Sequence, residues 1–156
     1  MHFNQALHRI STNVRFITGS LLLPEYAAAL AERLFLTPPK PKLPHSTFFD
    51  FLDAHASFVE YRGRNLASWR WGPLDAPAVL LAHGWGGYAA QMRGFVPHLL
   101  ANGYRVIAYD QPAHGLSEGK LTGLPDFAGA LAAVAANFGC ARFRSPIRGW
   151  CEKASR

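Results

Sequence analysis

Apolar and polar positions along the 156-residue chain change period several times, and each change marks an element. In the first 44 residues Phe3, Leu7, Ile10, Val14 and Phe16, then Tyr26, Leu30, Leu34 and Phe35, recur at helical spacing and predict two amphipathic helical pieces. They end in TPPKPKLP, Thr37–Pro44, where four prolines in eight residues exclude helix and predict an extended connector. From Ala56 to Trp71 the period falls to two: Phe58, Glu60 and Arg62 alternate with Val59 and Tyr61. Beyond a turn at Gly63-Arg64, Leu66, Ser68 and Arg70 alternate with Ala67, Trp69 and Trp71, which predicts a β-hairpin.

The following segment, GPLDAP (Gly72–Pro77), predicts a turn, and AVLLA (Ala78–Ala82) is an unbroken apolar run of the kind a strand covered on both faces shows. Tyr88–Asn102 is amphipathic, with Gly103 at its C-cap and Pro97 inside, where proline kinks or restarts a helix. YRVIAYD, Tyr104–Asp110, predicts a second buried strand. Strand, helix and strand within about thirty residues form a βαβ unit, hence a parallel sheet. After a loop from Gln111 to Pro125, DFAGALAAVAANFG predicts a further helix, capped by Asp126 and closed by Gly139. A third parallel strand is due next. The tail places Arg142, Arg144, Pro146 and Arg148 where a buried strand needs Val, Ile or Leu, and proline cannot donate to a central ladder. The expected organisation is a helical segment with its connector (1–44), an α/β body (45–140) and an atypical basic tail (141–156).

Composition narrows the function classes. Hydrophobic residues make up 49% of the chain and charged residues 17%, enough apolar material for one globular core and too little charge for disorder. The formal charge is +6, yet residues 1–140 carry 11 Lys+Arg against 9 Asp+Glu, and residues 141–156 carry 5 against 1. The body is thus nearly neutral and has no basic stripe, so no nucleic-acid partner is expected. No apolar run reaches the length of a membrane span and no secretory leader is visible, which argues for a cytoplasmic protein without a membrane partner. Cys140 and Cys151 have no C-x-x-C spacing and no nearby histidine, and HGWGG is not a phosphate-cradling loop. Neither a metal nor a cofactor is expected.

Two motifs carry the chemistry. His83-Gly84-Trp85-Gly86-Gly87 follows the first apolar strand, and Asp110-Gln111-Pro112-Ala113-His114-Gly115-Leu116-Ser117 follows the second, 27 residues later from His83 to Asp110. Together they resemble the α/β-hydrolase family over about Ala56–Gly139. The second is similar to that family's D-x-R-G-H-G-x-S loop, with Pro112 and Ala113 in place of the usual Arg and Gly. The resemblance implies the N-terminal part of an α/β-hydrolase sheet: a β-hairpin followed by βαβα in three layers, behind a helical lead-in. It also implies that HGWGG is an oxyanion loop, in which the Trp85 N–H is one donor to the charge that develops on a carbonyl oxygen during acyl transfer. The partner this implies is a small-molecule acyl substrate or ligand.

Gly115-Leu116-Ser117-Glu118-Gly119 matches the G-x-S-x-G nucleophile pattern, and Asp110, His114 and Ser117 are the residue types of a catalytic triad. A nucleophile elbow, however, needs a strand ending at the first glycine and a helix starting directly after the serine. Here the strand ends near Asp110 and a loop follows Ser117. Asp110, His114, Gly115 and Ser117 are therefore expected to form a structural loop beside the pocket. In the family the nucleophile lies on the next strand, followed by the acid and then the histidine. Beyond Gly139 the chain offers only Ser145 and Ser155, and beyond His114 no histidine. No complete catalytic set is expected, and the tail reads as a frameshifted or premature end, leaving the chain inactive. The alternative is a non-enzymatic module that binds an acyl ligand or is completed by a partner. The family strand order leaves Ala78–Ala82 with a free edge, and self-association through it is expected.

Overall fold

The structure, a computed structural model, describes residues 14, 17, 23–39 and 53–140. The first helical piece apart from Val14, the connector beyond Pro39 and the 141–156 tail lie outside the described residues. The elements in chain order are α1 (Pro24–Phe35), β1 (His55–Tyr61), β2 (Arg64–Trp71), β3 (Ala78–Ala82), a 3-10 helix (Ala89–Phe95), α2 (Val96–Ala101), β4 (Arg105–Tyr109) and α3 (Leu124–Asn137). The sheet runs β1-β2-β4-β3; β2 is antiparallel to β1 and β4, whereas β3 and β4 are parallel.

Side-chain alternation on the central strands builds three layers. Val106 and Ala108 of β4 join Trp69 and Trp71 of β2 on one face, under Ala89, Ala90 and Val96 of the 3-10 helix and α2. Ile107 and Tyr109 point the other way, joining Val59 and Leu66 beneath Ala130 and Val134 of α3. This is the α/β arrangement the sequence predicts.

Several boundaries differ from the sequence expectation. The hairpin turn is Arg62-Gly63, one residue early, because both positions take positive φ (52° and 70°) and Tyr61 pairs directly with Arg64. That is the primed two-residue turn whose twist matches the strands. Pro97 restarts the helix: the chain is 3-10 through Phe95 and α-helical from Val96, with the proline in the first turn where no N–H is needed. The last helix begins at Leu124, with Gly123 in the cap position, so Asp126 is not the cap. Its carboxylate instead bonds Arg64 at 3.1 Å and Arg62 at 3.4 Å, tying α3 to the hairpin. Gly139 closes α3 as expected, with φ at 65° and the Cys140 N–H returning to Ala135 O.

Among the described residues β3 has one strand neighbour, β4. Val79, Leu80 and Leu81 are only half-buried, not covered on both faces, whereas Val106, Ile107 and Tyr109 of β4 are 0% exposed. Among the described residues no helix is long and apolar enough to cross a membrane.

Candidate active site

Parallel pairing of β3 with β4 brings Ala82 opposite Tyr109 and delivers the two motif loops side by side at the C-terminal ends of both strands. In an open α/β sheet this edge is where ligands bind. All nine motif residues singled out above lie in these loops.

The loop after β4 is closed on itself. Asp110 is buried, and its Oδ2 accepts the Leu116 N–H at 2.8 Å. The His114 N–H returns to Gln111 O and the Ser117 N–H to His114 O, both at 2.9 Å. Ser117 Oγ donates to Asp110 O at 2.7 Å and accepts the Ala67 N–H at 2.9 Å, so the hydroxyl ties the loop to β2. Glu118 extends the seam, its Oε2 accepting the Asn65 N–H at 2.8 Å. Gly115, at φ 48°, is required here: a Cβ would overlap the Asp110 carboxylate. Ala113 takes φ 64°, a conformation an L side chain rarely adopts, at the position where the family's loop has glycine.

The loop after β3 is held by its neighbour. His114 Nε2 accepts the Gly86 N–H at 3.0 Å, and His83 Nε2 accepts the Gln111 N–H at 2.9 Å. Each histidine thus receives a main-chain proton from the other's loop. A nitrogen that accepts carries no hydrogen, so each ring is neutral, with its proton on Nδ1. His83 Nδ1 faces Gly84 O at 2.8 Å and His114 Nδ1 faces Pro112 O at 2.9 Å. Burial lowers both basicities. His83 falls to about 4 through burial, against its bond to Gly84 and aided by the neighbouring His114. Burial outweighs the Pro112 bond in lowering His114. Asp110 makes a third stitch, accepting the Ala89 N–H at 2.6 Å and thereby capping the 3-10 helix that follows HGWGG. Burial pushes its carboxyl upward, while the Leu116 and Ala89 N–H groups pull it down.

These bonds account for the polar atoms of the Asp, His and Ser side chains with main-chain partners. No hydrogen bond joins His114 to Ser117, and none joins Asp110 to a histidine. In the HGWGG loop the Gly86 N–H is taken by His114 and the Gly87 N–H by Gly84 O at 3.1 Å. Among the described residues the Trp85 N–H has no acceptor.

Aromatic packing around Trp85 was not legible in the sequence. Its indole stacks on Phe35 at the end of α1, with centroids 6.3 Å apart, and lies 6.0 Å from Phe127 of α3 and 5.5 Å from His114. Pro39 also leans on Gly86. The lead-in helix therefore sits against the glycine loop, and the Thr122 N–H bonds Leu36 O at 2.9 Å to anchor it. Phe35 closes the periodic run before the prolines, but periodicity says nothing about which distant ring it meets. Among the described residues no group of three His, Cys, Asp or Glu side chains could hold a metal ion.

Residues 77–146 match the family model described as alpha/beta hydrolase fold. A non-heme chloroperoxidase of Streptomyces lividans is 39% identical over 61 residues, covering 39% of this chain and 22% of that protein. A serine hydrolase-like protein of Danio rerio is 42% identical over 53 residues, 34% of this chain and 16% of its own length. Among solved structures, epoxide hydrolase A of Mycobacterium thermoresistibile superposes with a TM-score of 0.51 at 28% identity, covering 55% of this chain and 28% of that chain. The matched region thus spans less than a third of each of these relatives.

Proposed function

We propose, from the match of residues 77–146 to the family model described as alpha/beta hydrolase fold, that the described residues carry the oxyanion side of a serine-hydrolase-like site. The activity to which that half-site belongs is cleavage of an ester, amide or similar acyl bond. Catalysis of this kind needs preorganised N–H donors aimed at the developing oxyanion. The observation that carries the reading is the Trp85 N–H, which has no acceptor among the described residues, whereas the N–H groups of the next two residues, Gly86 and Gly87, are bonded. His83, His114 and Asp110 are positioning residues in this reading, because they fix the loop that presents the donor.

Ser117 is not the nucleophile. Its hydroxyl proton goes to a carbonyl and its lone pair to a main-chain N–H, and no base is bonded to it. No serine among the described residues is hydrogen-bonded to a histidine, and inactivity of these residues by themselves goes with this reading. A fluorophosphonate probe, which reacts with activated serines, tests this: no adduct is expected on native protein by intact-mass measurement. An adduct mapped to Ser117 would sink both the structural assignment of that loop and the inactivity.

The edge of β3 favours one further reading, a module completed by another strand. Half-buried Val79, Leu80 and Leu81, on a strand with one neighbour among the described residues, leave a ladder edge that a further strand fits. Sedimentation velocity is expected to show concentration-dependent self-association; a monodisperse monomer across the accessible range rules it out. A cytoplasmic location goes with this reading.

A further inference from the structure

Where α1 meets the loop before α3, a groove of about 560 Å³ opens between Arg33, Thr37 and Pro38 on one wall and Lys120 and Leu121 on the other. Its volume falls within the roughly 300–1,000 Å³ of small-molecule sites. Two local features shape it. Thr37 Oγ1 donates back to Arg33 O at 2.6 Å, which satisfies the hydroxyl within its own wall. The Thr122 N–H to Leu36 O bond pins the two walls together just behind them. The floor is apolar, with Pro38 buried and Leu121 exposed at 43%.

The rim has the opposite character. Arg33 and Lys120 are both exposed, and neither is ion-paired with a carboxylate among the described residues. Two cations without counterions above an apolar channel match a molecule with an anionic head and a hydrocarbon tail. A guanidinium takes a carboxylate through two parallel hydrogen bonds, and the lysine adds a compact second charge.

We propose that this groove binds the free carboxylate form of a medium- or long-chain fatty acid, with Arg33 and Lys120 holding the head and Pro38 and Leu121 lining the chain. Because one wall is the end of α1 and the other precedes α3, the ligand bridges the lead-in helix to the body. The site is distinct from the HGWGG loop, and its occupancy does not depend on the hydrolase reading.

The test is calorimetric titration of the full chain with monomeric dodecanoate below its micelle concentration, with anionic phosphatidylglycerol vesicles as a second titrant. Saturable one-to-one binding is expected, weakened fivefold or more in the Arg33→Gln, Lys120→Gln double variant. Both positions are exposed, and the unliganded variant is expected to melt with the parent, which separates lost binding from lost folding. Absence of saturable binding overturns the proposal, as does a double variant weakened less than fivefold. Binding to vesicles without binding to monomeric dodecanoate also overturns it and makes the groove a membrane contact.

Discussion

The two loops that end β3 and β4 start from the same place on the sheet and reach opposite states. After β4, Asp110, Gln111, Ala113, His114 and Ser117 are each no more than 8% exposed, and the loop's carboxylate, hydroxyl and imidazole bond main-chain groups. After β3, Gly84 and Trp85 are exposed, and a main-chain N–H stands without an acceptor among the described residues. The Asp110, His114 and Ser117 side chains of the loop after β4 are committed to main-chain partners. That loop serves as the mould that holds the unsaturated one, which is where binding chemistry can occur.

The comparison breaks most completely at Asp110. Asp110→Ala strands the buried N–H of Ala89 and the part-buried N–H of Leu116 at once, and losing two charge-assisted bonds of this kind costs about 2–5 kcal/mol. Urea denaturation is expected to show that loss or no cooperative transition at all; a loss under about 1 kcal/mol would mean that the stitch between the loops contributes little. Gly115→Ala comes next. The added Cβ meets the Asp110 carboxylate and the residue must keep φ at 48°, so overpacking and left-handed strain together cost about 2–4 kcal/mol in the same assay.

Acid loosens both histidine bonds together. His83 binds protons below its ordinary 6.5 when unfolded but only near 4 when folded, so the unfolded state takes up more protons in between. Stability is therefore full above pH 6.5 and is lost as pH falls toward 4, His83 alone accounting for about 2 kcal/mol by pH 5. His114 is shifted in the same direction and adds to the loss. Denaturant midpoints at pH 8 and pH 5 measure it, and a His83→Ala variant is expected to flatten that difference. The smallest effect is expected at Gly84→Ala. Nothing lies within 4 Å of a Cβ there and φ is not positive, so the same chemical change that damages the closed loop alters stability by about 0.5 kcal/mol or less in the open one. A large loss at Gly84 would show that the HGWGG loop is as tightly built as its neighbour.

The fold was legible wherever period and punctuation agreed. Alternation in Phe58–Trp71 and the apolar runs of β3 and β4 mark strands that the sheet realises, because a pleated surface buries every second side chain. Boundaries shifted where an unremarkable residue took a special conformation, as Arg62 did in the hairpin turn. Asp126 was misassigned as a cap because an acidic residue in a first turn looks the same in sequence whether it caps the helix or pairs across to Arg64. Both site loops were visible as motifs at strand ends. Their cross-stitching was not, since Gly86 with His114 and Gln111 with His83 are each 28 positions apart and meet only through the β3–β4 pairing.

That reciprocal stitching also acts as a gauge of length. His83 sets how far Gln111 stands from the end of β3, and His114 sets the same for Gly86 and the end of β4. Inserting or deleting one residue in either loop would pull a ring nitrogen off its partner in both. A change of length in one loop therefore has to be matched in the other for both bonds to form, whereas the lead-in helix rests against this frame without being counted by it.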